Sequence, residues 1–249
     1  MATAAAVNAL RIDELLPDSH TSLAHAKLHA LDWKGSEWEF HRAIQLGPGY
    51  AIAHFYYANF LGALGRFEEG IAEAREAVRL DPVSMGAETN LAMLYYSAGR
   101  HEEAVDACQK ALQMEPNLAR PYDDLGRVLL EKGNYPEAIA ALKKAVSLSN
   151  RSTRCLSSLG YGYGIAGQLD LAREILVELE RMSKQGYVAS SDFAIVHAGL
   201  GERDQAIDWL ERACEERDSH LPHLNVDPRL KTLRREPRFG ALLKRIAFF

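Results

Sequence analysis

The sequence is poor in cysteine, in long apolar runs and in charge of one sign, and each shortage excludes a class of protein. Its 249 residues include three cysteines, widely spaced and without a C-x-x-C pair, which excludes a disulfide framework and a cysteine zinc site. No uncharged apolar run reaches the roughly 18 residues that a membrane helix needs. The net charge of −5 provides no bulk attraction to nucleic acid or to an anionic membrane. Because the N-terminus also lacks a basic region and a cleavage site, we predict a cytoplasmic protein.

A repeat of 34 residues runs through most of the chain. Prolines occur at this interval at positions 48, 82 and 116, and glycines occur at it at positions 65, 99, 133, 167 and 201. Counting each proline as repeat position 32 gives six units, which are 17–50, 51–84, 85–118, 119–152, 153–186 and 187–220. Repeat positions 8 and 20 hold a small residue in every unit, as a close approach of two helices requires.

Each unit has the pattern of two helices joined by a turn. In the third unit, apolar residues recur at helical spacing on both sides of Gly99. Glycine is favoured at the left-handed position that ends a helix, and proline cannot continue the second helix. The sequence therefore predicts tandem helix-turn-helix units with no strand. Repeats four to six lack the proline and repeat one lacks the glycine, so their helix ends are less well defined.

Over residues 17–220 this pattern resembles the tetratricopeptide repeat (TPR) family. The resemblance implies an all-α fold, a right-handed α-solenoid whose concave face is lined by the first helix of each pair. Both ends are also similar to the tetratricopeptide region of bacterial signalling proteins, in which it follows a winged-helix, adenylate cyclase or Ser/Thr kinase domain. The similar stretches include Asp32-Trp33 near the start and Asp227-Pro228 and Pro237-Arg238-Phe239 near the end.

The two ends outside the repeats are predicted to differ. Residues 1–16 match the end of a second helix whose first partner is missing, which indicates a half-repeat and hence a fragment of a longer protein. A genuine start with a shortened cap, or an open end used for homodimerisation, are the alternatives. In residues 221–249, Asp227-Pro228 and Glu236-Pro237 predict two short helices. The second carries an apolar stripe from Phe239 to Ile246 that would cap the sixth repeat.

Catalytic and metal motifs are not found in the sequence. There is no P-loop, no G-x-S-x-G and no H-E-x-x-H, so we predict no enzymatic activity and no cofactor. Two histidine pairs, His25 with His29 and His220 with His223, have no further ligand in the pattern to complete a metal site. Basic residues in the tail fit the polar face of a capping helix better than a nucleic-acid interface.

The concave face is the candidate binding site. By resemblance, repeat positions 2, 5, 6, 9, 12 and 13 face it, and repeats two to four place there Phe55, Tyr56, Asn59, Asn90, Met93, Tyr96, Arg120, Asp123, Asp124 and Arg127. Phe55 and Tyr96 fit packing between repeats equally well. A clamp for a peptide C-terminus, as in one subset of the family, is matched at Asn59, Asn90 and Arg120, but Phe55 and Asp124 replace two of its cations.

The sequence therefore predicts a non-enzymatic scaffold that binds a protein or peptide partner on its concave face, as the regulatory or interaction segment of a larger bacterial signalling or transcription-regulatory protein. The alternative is a solenoid that senses a ligand or peptide and changes shape on binding. We predict no nucleic-acid or membrane binding by this segment.

Overall fold

The computed structural model describes residues 13–246, and over this range the chain is built from helices without strands. Twelve α-helices form six hairpins between Pro17 and Glu216. In chain order they are α1 (Pro17–His29), α2 (Trp33–Leu46), α3 (Ala51–Ala63), α4 (Phe67–Leu80), α5 (Met85–Ser97), α6 (His101–Met114), α7 (Ala119–Glu131), α8 (Tyr135–Leu148), α9 (Thr153–Ile165), α10 (Leu169–Ser183), α11 (Ser190–Leu200) and α12 (Arg203–Glu216).

The ends of these helices follow the repeat where its glycine and proline are present. Five hairpin turns contain a glycine with positive φ, such as Gly99 at 75°, where a side chain would be strained. The first hairpin, which has no such glycine, places Leu31 in this conformation, with a φ of 62°. After α8, where the repeat proline is missing, Asn150 and Arg151 both adopt positive φ. Repeats one and four therefore use residues other than glycine in the same left-handed region.

Small residues lie where neighbouring helices cross. At repeat position 8, Ala24, Ala58, Ala92 and Ala194 are almost fully buried. At Gly126, a methyl group would come within 2.5 Å of the Leu142 side chain. Large apolar side chains such as Phe40 and Phe60 fill the remaining space between layers. Successive hairpins stack in this way and bury apolar side chains between them, which confirms the predicted all-α right-handed solenoid.

The chain beyond the last hairpin has two parts. A 3₁₀ helix (Pro228–Leu233) packs on α11 and α12, and α13 (Pro237–Arg245) packs on α12. The fold prediction, which includes a C-terminal capping helix, holds here. Residues 218–229, which we call the strap, were not foreseen: they cross the concave side, and their short 3₁₀ helix (Leu221–His223) contacts α1 and α3.

Other predictions concern residues outside the described range. Most of the predicted half-repeat 1–16 lies outside the described residues, as do residues 247–249, so the fragment and homodimer hypotheses stay predictions. Between residues 13 and 246, none of the helices has both the length and the apolar character needed to cross a bilayer.

Candidate functional site

A cavity of about 500 Å³ lies between the concave side of the solenoid and the strap. One wall is formed by the first helices of the hairpins, α3, α5, α7, α9 and α11, and the opposite wall by residues 218–229. At the N-terminal end, His29 from α1 completes the lining. The strap thus converts an open trough into a partly enclosed cavity.

Five of the ten predicted site residues line this cavity: Asn59, Asn90, Met93, Arg120 and Arg127. They come from three successive hairpins, because each first helix presents the same repeat positions to the concave side. The side-chain amide of Asn90 donates to the backbone oxygen of Phe55 at 2.9 Å. Asn90 thereby joins α5 to α3 as well as facing the cavity.

The other five predicted residues do not line it. Phe55 and Tyr56 form an edge-to-face pair with ring centroids 4.8 Å apart, and Tyr56 also lies 4.6 Å from the His25 ring. Tyr96 is buried beneath Arg127, whose guanidinium carbon lies 5.0 Å from the ring centroid. Burial raises the pKa of the Tyr96 hydroxyl, so it stays neutral. Tyr96 therefore has the packing role that the sequence left open.

The remaining two, Asp123 and Asp124, lie behind the cavity wall, each 1% exposed. Three arginines surround them. Arg120 Nε donates to Asp124 Oδ2 at 2.6 Å. Arg127 Nη1 lies 3.6 Å from Asp124 Oδ1 and 4.0 Å from Asp123 Oδ2, and Arg154 nitrogens lie 3.7 and 3.8 Å from the same two carboxylates. This charge cluster joins α7 to α9.

Several polar atoms of the charge cluster are left without a hydrogen bond. They are both carboxylate oxygens of Asp123, Oδ1 of Asp124 and Nε of Arg127. Buried polar groups are normally satisfied, so a group of four such atoms indicates water or a ligand at this point.

The strap contributes a buried ion pair of its own. Arg229 Nη2 lies 2.7 Å from Asp227 Oδ2, and both residues are almost fully buried. Arg229 Nη1 also donates to Ser158 Oγ at 3.3 Å, which ties the strap to α9. Burial alone would raise the pKa of Asp227, but Arg229 and His220 hold it well below its usual range. Asp227 is therefore an anion, neutralised within the strap.

The two histidine pairs differ in their geometry. His25 Nε2 lies 3.3 Å from His29 Nε2, while the rings of His220 and His223 are 6.2 Å apart. In the described range 13–246, no group of three ligand-type side chains could hold a metal ion. Burial lowers the pKa of His223 to about 3, with His220 as the next cause, so His223 faces the cavity as a neutral imidazole.

Several cavity residues were missed by the sequence interpretation, for two different reasons. Arg154, Ser157, Ser191 and Asp192 line the cavity from α9 and α11. They occupy repeat positions 2, 5, 5 and 6, so the rule used for repeats two to four would have found them in repeats five and six. The strap residues, such as Arg229, lie outside the repeats, and no signal in the sequence places them.

Stacked helical hairpins around a concave cavity define the class of protein as an α-solenoid. Family models described as "Tetratricopeptide repeat" match residues 21–84, 83–151 and 189–212. The chain belongs to the tetratricopeptide repeat family, as the resemblance implied. No curated protein matches its sequence significantly.

Solved structures with the same architecture are similar to this chain. One is a tetratricopeptide repeat protein from Parabacteroides merdae, with a TM-score of 0.66, 14% identity and coverage of 98% of this chain and 91% of that one. Another is the Pseudomonas aeruginosa protein PilF, with a TM-score of 0.58, 18% identity and coverage of 86% and 96%. A chain of the APC/C hetero-tetramer Cut9-Hcn1 aligns with a TM-score of 0.67 and 17% identity, and this chain spans 45% of its length. At these identities the likeness shows the fold.

Proposed function

We propose that this chain is a non-enzymatic binding module that holds a protein or peptide partner on its concave side. The observation that supports it is the alignment of Asn59, Asn90, Arg120 and Arg127 along one wall of the trough, from three successive hairpins. Amides can hydrogen-bond a peptide backbone and guanidinium groups can hold a carboxylate. The similarity of both chain ends to bacterial signalling proteins supports a place within such a protein. A winged-helix, kinase or cyclase domain encoded immediately upstream would test that part.

A partner that lies along the trough meets the strap. An extended peptide needs the length of the concave face, which residues 218–229 cross between α1 and α9. Binding therefore involves either displacement of the strap or insertion of a short peptide segment beside it. In both cases, the residues on α3, α5 and α7 remain the contact surface.

A peptide selection tests this proposal even though the partner is unidentified. Peptides are selected from a displayed random library on the full chain, and their affinities are measured by calorimetry. We expect the double variant Asn59→Ala with Arg120→Ala to weaken binding at least about tenfold, since interface residues of these types contribute above about 1.4 kcal/mol when buried. The matched control, Gln109→Ala with Arg181→Ala, removes an amide and a guanidinium that are exposed and should leave affinity unchanged. Equal affinity of both double variants would contradict the proposal.

A solenoid that senses a small ligand and changes shape is the second candidate. The strap favours it, because a partly enclosed cavity of about 500 Å³ lies in the size range of small-molecule sites. Ligand contacts to both walls would change the separation of strap and solenoid, which small-angle X-ray scattering would detect as a change in the radius of gyration.

A further inference from the structure

We propose that the cavity beneath the strap binds a small organic anion, a molecule that carries a carboxylate or phosphate group, between Arg127 and Arg154. The inference deepens the second candidate function and rests on it. It identifies the ligand by the groups that would contact it.

The first argument is the number of unused hydrogen-bond donors. A guanidinium has five N–H groups in a planar arrangement that matches a carboxylate or phosphate. Arg127 is 4% exposed, and within the described residues it donates a single hydrogen bond, a weak one of 3.5 Å to Met93 Sδ. Its Nε has no acceptor. Arg154 lies within ion-pair distance of Asp123 and Asp124 but donates to neither at hydrogen-bonding distance.

The second argument is charge. Arg120, Arg127 and Arg154 share two carboxylates, Asp123 and Asp124, which leaves one positive charge in the cluster. One anionic group between Arg127 and Arg154 would neutralise the excess positive charge and accept hydrogen bonds from both guanidinium groups.

The third argument is that the other acidic residues that line the cavity are already engaged. Asp227 is paired with Arg229. Asp218 accepts the backbone N–H groups of Ser191 and His220 at 3.0 and 2.9 Å. Asp192 accepts the hydroxyl of Ser157 at 3.1 Å, and burial raises its pKa. Each of the three therefore already has a hydrogen-bond or ion-pair partner.

The fourth argument concerns the rest of the ligand. Met93, Leu94, Ile195 and Val226 also line the cavity, and these side chains can contact only an apolar part of a ligand. The volume of about 500 Å³ exceeds what an inorganic anion fills. Together they favour an organic molecule whose charged end lies at the arginines.

Calorimetry and thermal unfolding of the full chain test this proposal. The probes are succinate, glycerol 3-phosphate and inorganic phosphate, each compared with sodium chloride at equal ionic strength. We expect saturable binding of at least one organic probe, with a rise in Tm of about 5 °C or more at roughly 100 times Kd. Preference for succinate or for the phosphate ester identifies the anionic group.

Variants of one residue locate the site. Arg154→Gln should weaken binding at least tenfold. Arg154→Lys should weaken it less, because lysine keeps the charge beside Asp123 but lacks the planar arrangement of N–H groups. The control Arg151→Gln removes an exposed arginine that pairs with Glu178 outside the cavity and should bind as the parent does. Absence of saturable binding by both organic probes, or unchanged affinity in Arg154→Gln, would overturn the proposal. Peptide binding is measured separately, and its result does not depend on the result for the organic anions.

Discussion

At the scale of single residues, two glycines allow a close approach of the fifth and sixth repeats. Gly164 on α9 faces Gly199 on α11, and a methyl group on Gly199 would lie 2.6 Å from Tyr161 Cα. A methyl group on Gly164 would lie 2.5 Å from the Gly199 carbonyl oxygen. Because these neighbours are backbone atoms, no side chain can rotate away to make room. The spacing of α9 and α11 therefore depends on both residues lacking a Cβ.

We therefore expect Gly164→Ala to lower the free energy of unfolding by about 1–3 kcal/mol or more, because the added methyl group forces the helices apart. The control is Gly240→Ala in α13, where nothing lies within 4 Å of the new methyl group. That variant should be stabilised by about 0.5–1 kcal/mol through helix propensity. Urea denaturation monitored by circular dichroism measures both, and equal effects of the two variants would show that the close approach is not important.

The sequence contained part of this residue-scale information. Small residues at repeat positions 8 and 20 were recognised because they recur in every unit. Gly164 and Gly199 do not recur, since they occupy positions 12 and 13 of single repeats, so their contact could only be seen in three dimensions. The same reason explains why Arg120 and Arg127 were predicted as site residues and Arg229 was not.

At the scale of helices, α13 covers the open end of the stack. Phe239, Leu242 and Leu243 are buried against the last hairpin, which has no following repeat to cover its apolar side. The prolines at the first positions of α13 and of the preceding 3₁₀ helix fix where each begins. Both starts were predicted from the acid-proline pairs alone, because this signal is local in sequence.

Phe239→Ala should destabilise the chain by about 3–5 kcal/mol, since it leaves a cavity at a fully buried position. Val177→Ala is the control, because Val177 lies on α10 with 65% of its surface exposed, and its loss should change stability by less than about 0.5 kcal/mol. Differential scanning calorimetry would compare the two melting temperatures. A Tm for Phe239→Ala that equals the Tm of the control would mean that α13 does not stabilise the stack.

At the scale of the whole molecule, the strap connects parts of the solenoid that do not otherwise meet. Leu31, in the first hairpin, packs against the core cluster that contains the last hairpins and the C-terminal helices. Just beyond the strap, Lys231 Nζ lies 2.5 Å from Glu131 Oε2, a hundred residues earlier. In an open solenoid each repeat contacts only its neighbours. Here the strap links α1 and α3 to α9, and we expect it to restrain the curvature of the stack.

We expect Leu224→Asp to release this restraint, because it buries an unpaired carboxylate at a fully buried position of the strap. The radius of gyration from small-angle X-ray scattering should increase while the helical circular dichroism signal is retained. Asn225→Asp is the matched control, since it adds the same charge to the next residue, which is only partly buried, and should leave the dimensions unchanged. An unaltered radius in Leu224→Asp would contradict a restraining role.

The closure of the cavity by the strap could not be predicted from the sequence. The repeat positions identify which residues of each first helix face the concave side. They therefore predicted that Asn59, Asn90 and Arg127 lie on the concave wall. The strap has no repeat, and its position is determined by long-range contacts such as that of Arg229 with Ser158. Such contacts produce no periodic pattern in the sequence. The sequence therefore predicted an open trough.

Closure by the strap also has a consequence for folding kinetics. A plain solenoid has low contact order, and its hairpins can assemble rapidly from any starting point. Residues 218–229 can dock only after the first and the fifth hairpins have both reached their places. We therefore expect docking of the strap to be the last event of folding, because the surface that it contacts forms only when the stack is complete.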